Sequence, residues 1–143
     1  MARPPRLPAA VIIDVDGTLA IITDRSPYSS RGVLKDKPNA PVIAVAAALA
    51  AAGNVMIVVS GRSEEARADS EKWLARHLPF DFVGPHMRPT GDGRNDAVLK
   101  REIYDREIKP RFDVVCVLDD RDQAVRMWRS LGLTCLQVAP GDF

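Results

Sequence analysis

Residues 11–20 read VIIDVDGTLA, and this stretch decides the fold. The three β-branched apolar residues at its start are typical of the end of a buried strand. Alternation along an extended chain then puts Asp14 and Asp16 on the same side. Two crowded carboxylates repel each other, so folding alone gives no reason for the pair. A polar turn would explain one Asp and Gly17, whereas the whole stretch favours a hard-cation site with a nucleophilic carboxylate.

The composition limits the size and the kind of protein. The 143 residues have the length of one domain with a core of its own. A hydrophobic share of 46% and a charged share of 27% are typical of a globular protein. The net charge of +1 is lower than is usual for a protein that binds long nucleic acid through many phosphates. We therefore expect one domain over residues 1–143, with residues 1–8 as a loose lead-in and contact with only a few phosphates.

Cysteine usage and apolar runs bear on the environment of the protein. Cys116 and Cys135 are the only cysteines, and each lies in an apolar run. Such positions are expected to hold buried, reduced thiols rather than a disulfide or a zinc cluster. The longest apolar run, residues 42–52, is too short and too rich in alanine to span a bilayer. The first residues lack the pattern of a cleaved leader, so we expect a cytoplasmic protein without membrane contact.

Apolar runs alternate along the chain with helical patterns. Strands that are almost continuously apolar and are separated by helices are typical of a parallel sheet covered on both faces. The sequence therefore predicts a single Rossmann-like α/β domain. The predicted strands cover residues 9–16, 55–59, 80–84, 112–118 and 134–138, the predicted helices cover residues 41–52, 63–77, 95–108 and 122–131, and residues 21–39 and 85–94 are predicted loops.

Polar side chains follow three of the predicted strands. The carboxyl ends of parallel strands meet at one edge of the sheet, where folds of this class bind their ligands, so these side chains are expected to converge. Singly, each type has an ordinary explanation, such as a helix cap for an aspartate or a loop position for a serine. Their joint placement favours a functional site. They are Asp14 and Asp16, Ser60 and Arg62, and Asp119 and Asp120.

This set of residues fits phosphoryl transfer. A carboxylate can attack phosphorus and form an aspartyl-phosphate, and Asp14 is the predicted nucleophile. Asp16 is the predicted general acid and base. Mg²⁺ takes oxygen ligands and would link Asp14, Asp120 and a phosphate oxygen. The predicted ligands of the phosphoryl group are Thr18, Ser60, the backbone around Gly61, and Lys100, for which a solvated helix lysine is the ordinary alternative.

Four motifs resemble those of the haloacid dehalogenase superfamily of phosphatases. They are DVDGT from Asp14, the hydroxyl of Ser60, Lys100, and the pair Asp119–Asp120. The sequence is most similar to one branch, the 3′-phosphatase domain of phage-type polynucleotide kinase–phosphatase. The segments that carry this resemblance extend over nearly the whole chain and are DVDGTLA, Arg25 with Pro27 and Tyr28, VVSGR, GDGRNDAVLK, DDR with the following MWR, and QVAPGDF.

The resemblance implies a role for each matching residue. Asp14 matches the nucleophile, and Asp16 matches the general acid and base, whose backbone carbonyl would also bind Mg²⁺. Asp120 matches a metal ligand that Asp119 supports. The other matches are Ser60 and Lys100 at phosphate-binding positions, Arg25, Arg62 and Asp96 at positions needed for activity, and Arg88 and Arg121 as weaker candidates. The ordinary alternative is a solvated loop arginine for Arg25, Arg62 and Arg88, and a first-turn helix acid for Asp96.

The spacing of the motifs bears on the substrate. Superfamily members that act on small metabolites often carry a cap domain, and residues 20–38 and 77–94 are too short for a large one. An open site admits the 3′ end of a DNA or RNA strand, with Arg25, Arg62 and Arg88 as candidate phosphate contacts. No G-x-x-x-x-G-K-[ST] loop occurs in the sequence, so we expect no 5′-kinase activity from this chain. The predicted function is a Mg²⁺-dependent polynucleotide 3′-phosphatase of end repair, and the resemblance also implies 2′,3′-cyclic phosphates as substrates.

Two other functions stay open at this point. One is a small-molecule phosphatase of the same superfamily, acting on nucleotides or sugar phosphates. The other is a module that binds phosphorylated ends without cleaving them, which the intact set of acids disfavours. DNA and RNA both remain open, because the choice depends on contacts to the 2′-hydroxyl. A separate kinase or ligase is the candidate partner, and the alanine-rich helix fits a monomer as well as a homodimer.

Overall fold

The computed structural model describes residues 6–23 and 31–143. In these ranges the chain forms strands and α-helices that alternate from β4 onward. The strands are β1 (Ala9–Ile13), β2 (Ala20–Ile21), β3 (Lys37–Pro38), β4 (Val55–Ser63), β5 (Phe82–Arg88), β6 (Asp113–Asp119) and β7 (Cys135–Gln137). The helices are α1 (Ala40–Ala51), α2 (Arg67–His77), α3 (Asp96–Ile103) and α4 (Asp122–Ser130).

β1 lies at the centre of a five-stranded parallel sheet with the order β5-β4-β1-β6-β7. Ile13 of β1 stands opposite Val58 of β4 on one side and Leu118 of β6 on the other. β2 and β3 form a separate antiparallel pair, in which Ala20 stands opposite Pro38. This topology confirms the predicted α/β fold. It also places the carboxyl ends of β1, β4 and β6 side by side.

Side chains of β1 alternate between two hydrophobic cores, one on each face of the sheet. Ile13 packs in the core that α1 and α2 cover, together with Trp73. Ile12 packs in the core that α3 and α4 cover, together with Trp128. Because both faces are covered, the central strands are apolar nearly throughout, which explains their continuous apolar runs in the sequence. The two cysteines are free and buried, as predicted.

β4 and β5 are longer than the sequence predicts. β4 continues to Ser63 instead of ending at Val59, and β5 reaches Arg88 although a loop was expected from Pro85. The strands continue because they stay paired, with Val59 opposite His86 and Ser63 opposite Arg88 after irregularities in register. Proline is tolerated in β5 because this strand lies at the edge of the sheet.

The ends of three other predicted elements also differ. β1 ends at Ile13 rather than at Asp16, because the backbone turns at Gly17 with a φ of 81°. The helix predicted from residue 63 begins with a 3-10 turn at Glu64–Ala66, and the one predicted to residue 108 ends in a π-helical turn at Tyr104–Ile108. Of the predicted lead-in, residues 1–5 lie outside the described residues. No helix in the described part of the chain is both long and apolar enough to cross a membrane.

Truncation of a core residue tests the packing of α3. Leu99 is 2% exposed in the core between α3 and the sheet, so we expect Leu99→Ala to lower the free energy of unfolding by about 2–5 kcal/mol. Denaturant titration measures the loss. The neighbouring Val98 is 49% exposed, and Val98→Ala should change stability by less than about 0.5 kcal/mol. Equal losses in the two variants would contradict this placement of α3.

Candidate active site

Lys100 occupies the centre of the site and is only 1% exposed. It extends from α3, and its Nζ lies 3.0 Å from Asp14 Oδ1, 2.9 Å from Asp119 Oδ2 and 3.0 Å from Asp96 Oδ2. Burial by itself lowers the pKa of Lys100, but the three carboxylates together outweigh burial and raise its pKa well above the usual value. Lys100 therefore stays protonated, and its ion pairs connect the ends of β1 and β6 to the first turn of α3.

Asp14 and Asp120 approach the same hydroxyl group. Thr18 Oγ1 lies 3.2 Å from Asp14 Oδ2 and 3.1 Å from Asp120 Oδ1, and its single hydrogen can serve only one of them at a time. Burial raises the pKa of both carboxyls, and the charge of Asp119 raises it further. Gly17 permits the close approach of Asp120, whose carboxylate would overlap a Cβ at that position. The crowded acids therefore favour a cation between them.

Three carboxylates are close enough to bind one metal ion. Asp14, Asp119 and Asp120 each offer an oxygen atom, these atoms lie within 4.8 Å of one another, and all three residues are buried. Hard divalent cations prefer carboxylate oxygens, and their positive charge offsets the repulsion that, after burial, raises the pKa values of Asp14 and Asp120. The trio therefore fits a divalent ion. Asp16, whose backbone carbonyl is the predicted metal ligand, does not contribute its side chain to this trio.

Asp119 accepts hydrogen bonds from the protein at both of its oxygens. Oδ2 accepts from Lys100 Nζ at 2.9 Å and from Trp128 Nε1 at 3.1 Å. Oδ1 accepts from the backbone N–H groups of Asp120 at 2.8 Å and Arg121 at 3.3 Å. A carboxylate offers about four acceptor positions, so these donors occupy its capacity. Asp119 therefore orients Lys100 and the chain after β6, and Asp14 and Asp120 are the better placed ligands for a cation.

Arg62 binds both oxygens of Asp16. Its Nη2 lies 2.6 Å from Asp16 Oδ1, and its Nε lies 3.0 Å from Asp16 Oδ2. Arg62 is 8% exposed and is fixed by two further contacts, Nη2 to Asp36 Oδ2 at 3.0 Å and Nη1 to Ser70 Oγ at 3.0 Å. A bidentate pair of this kind fixes orientation as well as charge. Arg62 thus orients Asp16, and Asp36 and Ser70 orient Arg62.

Ser60 and Gly61 lie within β4 and not in a loop after it, which corrects their predicted setting. Ser60 is 1% exposed, and its Oγ accepts the backbone N–H of Arg62 at 3.1 Å. Gly61 lies against Asp96, whose Oδ1 would overlap a Cβ at that position. Arg88 Nε donates to the carbonyl oxygen of Gly61 at 2.9 Å. Gly61 therefore allows Asp96 to reach Lys100 beside the end of β4.

A cleft of about 740 Å³ opens onto these groups. Its lining includes most of the predicted site residues, whereas Thr18, Ser60 and Asp119 are buried and do not line it. Arg25 lies outside the described residues. The predicted site residues that line the cleft are Asp14, Asp16, Gly61, Arg62, Arg88, Asp96, Lys100, Asp120 and Arg121.

Three buried residues of the site were not predicted from the sequence. Asp36 lies between two lysines in a polar stretch, where no motif distinguishes it, yet it is 4% exposed and its carbonyl oxygen accepts from Trp73 Nε1 at 2.9 Å. Ser70 lies inside a charged helix. Trp128 belongs to the MWR segment, whose apolar spacing predicts only a core residue. None of the three has a local signal, because each acts through a contact with a residue outside its own helix or segment.

Such a cluster of acids around a buried lysine, at the carboxyl edge of a parallel sheet, defines a phosphatase of the haloacid dehalogenase type. Residues 8–143 match a family model described as the polynucleotide kinase PNKP phosphatase domain. The chain belongs to this family. Phosphatases of this superfamily typically use a divalent metal ion, and the buried trio of aspartates is compatible with one.

Relatives of known description agree with this assignment. The chain is 34% identical over 128 residues to a predicted bifunctional polynucleotide kinase/RNA ligase of Autographa californica nuclear polyhedrosis virus, covering 88% of this chain and 18% of the viral protein. A chain in the structure of a Pnkp1/Rnl/Hen1 complex matches with a TM-score of 0.91 and 39% identity, over 100% of this chain and 50% of that one. A chain in the structure of the Pnkp1/Rnl/Hen1 RNA repair complex matches with a TM-score of 0.90 and 40% identity, over 96% of this chain and 44% of that one. The chain thus spans half or less of the length of these relatives.

A substitution at Gly61 tests the contact between β4 and α3. In Gly61→Ala the new methyl group must displace Asp96, and Lys100 loses one of its three carboxylates. We expect a folded protein whose kcat for a phosphate monoester falls at least about tenfold, since a 1 Å misplacement can cost about 100-fold. Gly93→Ala is the matched control, because nothing lies within 4 Å of a Cβ there. An unchanged kcat in Gly61→Ala would contradict the proposed importance of this contact.

Proposed function

We propose that this domain removes the 3′-terminal phosphate from a nucleic-acid strand through an aspartyl-phosphate on Asp14. One observation carries the proposal: Asp14 is only 6% exposed and is held by Lys100, yet it lines an open cleft together with Asp120 and Arg62. A fixed carboxylate beside several cationic groups suits attack on a phosphate monoester. Membership of the PNKP phosphatase-domain family supports a polynucleotide substrate.

In the first step a carboxylate oxygen of Asp14 bonds to phosphorus while the bond from phosphorus to the 3′-oxygen breaks. Asp16 gives its proton to the departing 3′-oxygen. Both oxygens of Asp16 accept from Arg62 in this structure, so donation requires Arg62 to release one of them. A released N–H of Arg62 is then available to a phosphoryl oxygen. Lys100 stays beside Asp14 and offsets the charge of the transferring group.

In the second step water hydrolyses the aspartyl-phosphate. Asp16, now ionised, takes a proton from the water as the water oxygen bonds to phosphorus. The bond between phosphorus and Asp14 breaks, and inorganic phosphate leaves through the cleft. Asp119 keeps Lys100 in place during both steps, because Trp128 and two backbone N–H groups fix its carboxylate.

We propose Mg²⁺ as the divalent ion. Asp14 and Asp120 would hold it with their carboxylates, and the backbone carbonyl of Asp16 is a predicted third ligand. Mg²⁺ binds through one or two carboxylates plus phosphate oxygens in many phosphoryl-transfer sites, which fits two available acids. When bound, it supplies positive charge that polarises the phosphoryl group and offsets the repulsion between the acids.

The descriptions of the relatives favour RNA as the nucleic acid. The viral relative is described as a polynucleotide kinase/RNA ligase, and one solved relative comes from the Pnkp1/Rnl/Hen1 RNA repair complex. We infer by analogy that this domain prepares RNA or DNA ends for a kinase and a ligase that act beside it. Arg88 and Arg121 line the cleft and are candidate contacts for the strand, as is the predicted Arg25. Cytoplasmic location and a monomeric or homodimeric state stay predictions.

Phosphate release from matched oligonucleotides tests the function. Wild-type protein with Mg²⁺ should release phosphate from 3′-phosphorylated RNA and DNA oligonucleotides. Release from the same oligonucleotides bearing a 5′-phosphate should be at least about 100-fold slower. EDTA should abolish the activity, and Mg²⁺ in excess should restore it, because the bound ion would polarise the phosphoryl group and offset the repulsion between Asp14 and Asp120.

A nucleoside 3′-monophosphate serves as the comparison for the size of the substrate. Turnover of the mononucleotide as fast as that of the oligonucleotide would place the protein among the small-molecule phosphatases. Release from neither substrate would contradict the carboxylate chemistry itself. Full activity in EDTA would contradict the metal ion.

Asp14→Asn tests the nucleophile. The amide has nearly the same shape but cannot form the acyl-phosphate, so we expect turnover to fall at least about 1,000-fold. The variant should still fold, because the amide keeps an oxygen that can accept from Lys100 and because burial raises the pKa of Asp14, which makes its ionised form costly. Phosphate-release kinetics and thermal unfolding measure the two effects. An active Asp14→Asn protein would overturn the mechanism.

A further inference from the structure

An aromatic side chain stands at the cleft without a role in the chemistry above. Phe143 is 60% exposed and lines the same cleft as Asp14 and Asp120. A large exposed aromatic residue at a binding cleft loses contact with water when a flat ligand covers it. Its position in the cleft therefore points to a part of the substrate other than the phosphate.

The backbone around Phe143 is fixed against the chain that follows β6. The carbonyl oxygen of Gly141 accepts the N–H of Asp122 at 2.9 Å and the N–H of Phe143 at 2.9 Å. A Cβ at Gly141 would overlap the carbonyl oxygen of Asp120, so only glycine permits this approach. Phe143 is thus held in a defined place relative to Asp120, and such preorganisation lowers the cost of binding.

Arg121 holds the aromatic ring itself. Its guanidinium carbon lies 5.2 Å from the centroid of the Phe143 ring, and its Nε donates to the carbonyl oxygen of Phe143 at 2.9 Å. Arg121 directly follows Asp120 in the sequence. The residue that holds the ring is therefore the immediate neighbour of an acid of the catalytic cluster. The guanidinium lies over one face of the ring, and Phe143 still lines the cleft.

We propose that Phe143 is the stacking platform for the nucleobase of the 3′-terminal nucleotide, with Arg121 holding the platform in place. This inference rests on the proposed 3′-phosphatase function. The terminal nucleoside is the group bonded to the phosphate under attack, so its base is the flat group of the strand that comes nearest to the acids. Stacking tolerates every base, because every base has a π-face. The subsite therefore selects a nucleoside end without selecting its sequence.

Removal of the ring and removal of the base should have coupled effects. The substrates are a 3′-phosphorylated oligonucleotide and the same oligonucleotide with an abasic 3′-terminal residue. Phe143→Ala should raise KM for the normal substrate at least about fivefold, the lower bound for loss of one stacked base, with kcat nearly unchanged. With the abasic substrate the wild type should show the same increase, and Phe143→Ala should add none, because both changes remove one interaction.

Matched variants separate stacking from a merely structural role. Phe143→Trp should retain the low KM, whereas Phe143→Leu, which is apolar but not aromatic, should behave like Phe143→Ala. Leu136→Ala, which removes a 48% exposed apolar side chain from β7, should leave both substrates unaffected. Hydrolysis of glycerol 2-phosphate, which has no ring, should be the same in all variants.

The outcomes distinguish this inference from the function on which it rests. Failure of the wild type to release phosphate from the normal 3′ end overturns the proposed function. Efficient release together with additive effects of Phe143→Ala and the abasic residue overturns only the stacking platform. Coupling to an abasic residue at the second position, instead of the terminal one, also overturns the assignment to the terminal base.

Discussion

The structure depends on one buried ion cluster, in which the ammonium of Lys100 meets the carboxylates of Asp14, Asp96 and Asp119. Removal of an ion from water costs several kcal/mol, so such a lysine is tolerable only while its partners stay in place. The partners come from the end of β1, the start of α3 and the end of β6. One cation therefore fixes the relative positions of the elements that carry the chemistry, and it fixes the predicted nucleophile directly.

A second ion cluster surrounds Arg62 and has a different consequence. Arg62 binds Asp16 and Asp36, and Ser70 holds it from α2, so it connects the predicted general acid to the segment before α1. The two clusters keep two aspartates of one short motif in separate environments. Asp14 faces a buried lysine among other acids, while Asp16 faces an arginine at the cleft. Environments that differ in this way allow neighbouring carboxyl groups to serve different chemical roles.

Much of the architecture could be predicted from local sequence patterns. Apolar runs and helical spacing predicted the parallel sheet. Because the carboxyl ends of parallel strands lie at one edge of the sheet, the sequence also predicted that Asp14, Arg62 and Asp120 lie close together. The ends of β4 and β5 could not be predicted, because their continued pairing with a shifted register is a contact between distant segments. Asp36 and Trp128 escaped notice for a related reason, since their roles depend on contacts with Arg62 and Asp119, which lie on other parts of the fold.

The sequence by itself determined the fold class and the strand-end position of the acids in the DVDGT stretch, because alternation and strand-end position are properties of the local chain, and its motifs carried the resemblance to the family. Only the tertiary structure decided which acids share Lys100, which oxygen atoms remain for a cation, and that Phe143 stands at the cleft beside Arg121. The physical reason is that hydrogen-bond capacity and burial belong to atoms in space. Asp119 cannot be distinguished from a metal-binding aspartate in the sequence, because the four hydrogen-bond donors that occupy its oxygens are visible only in the structure.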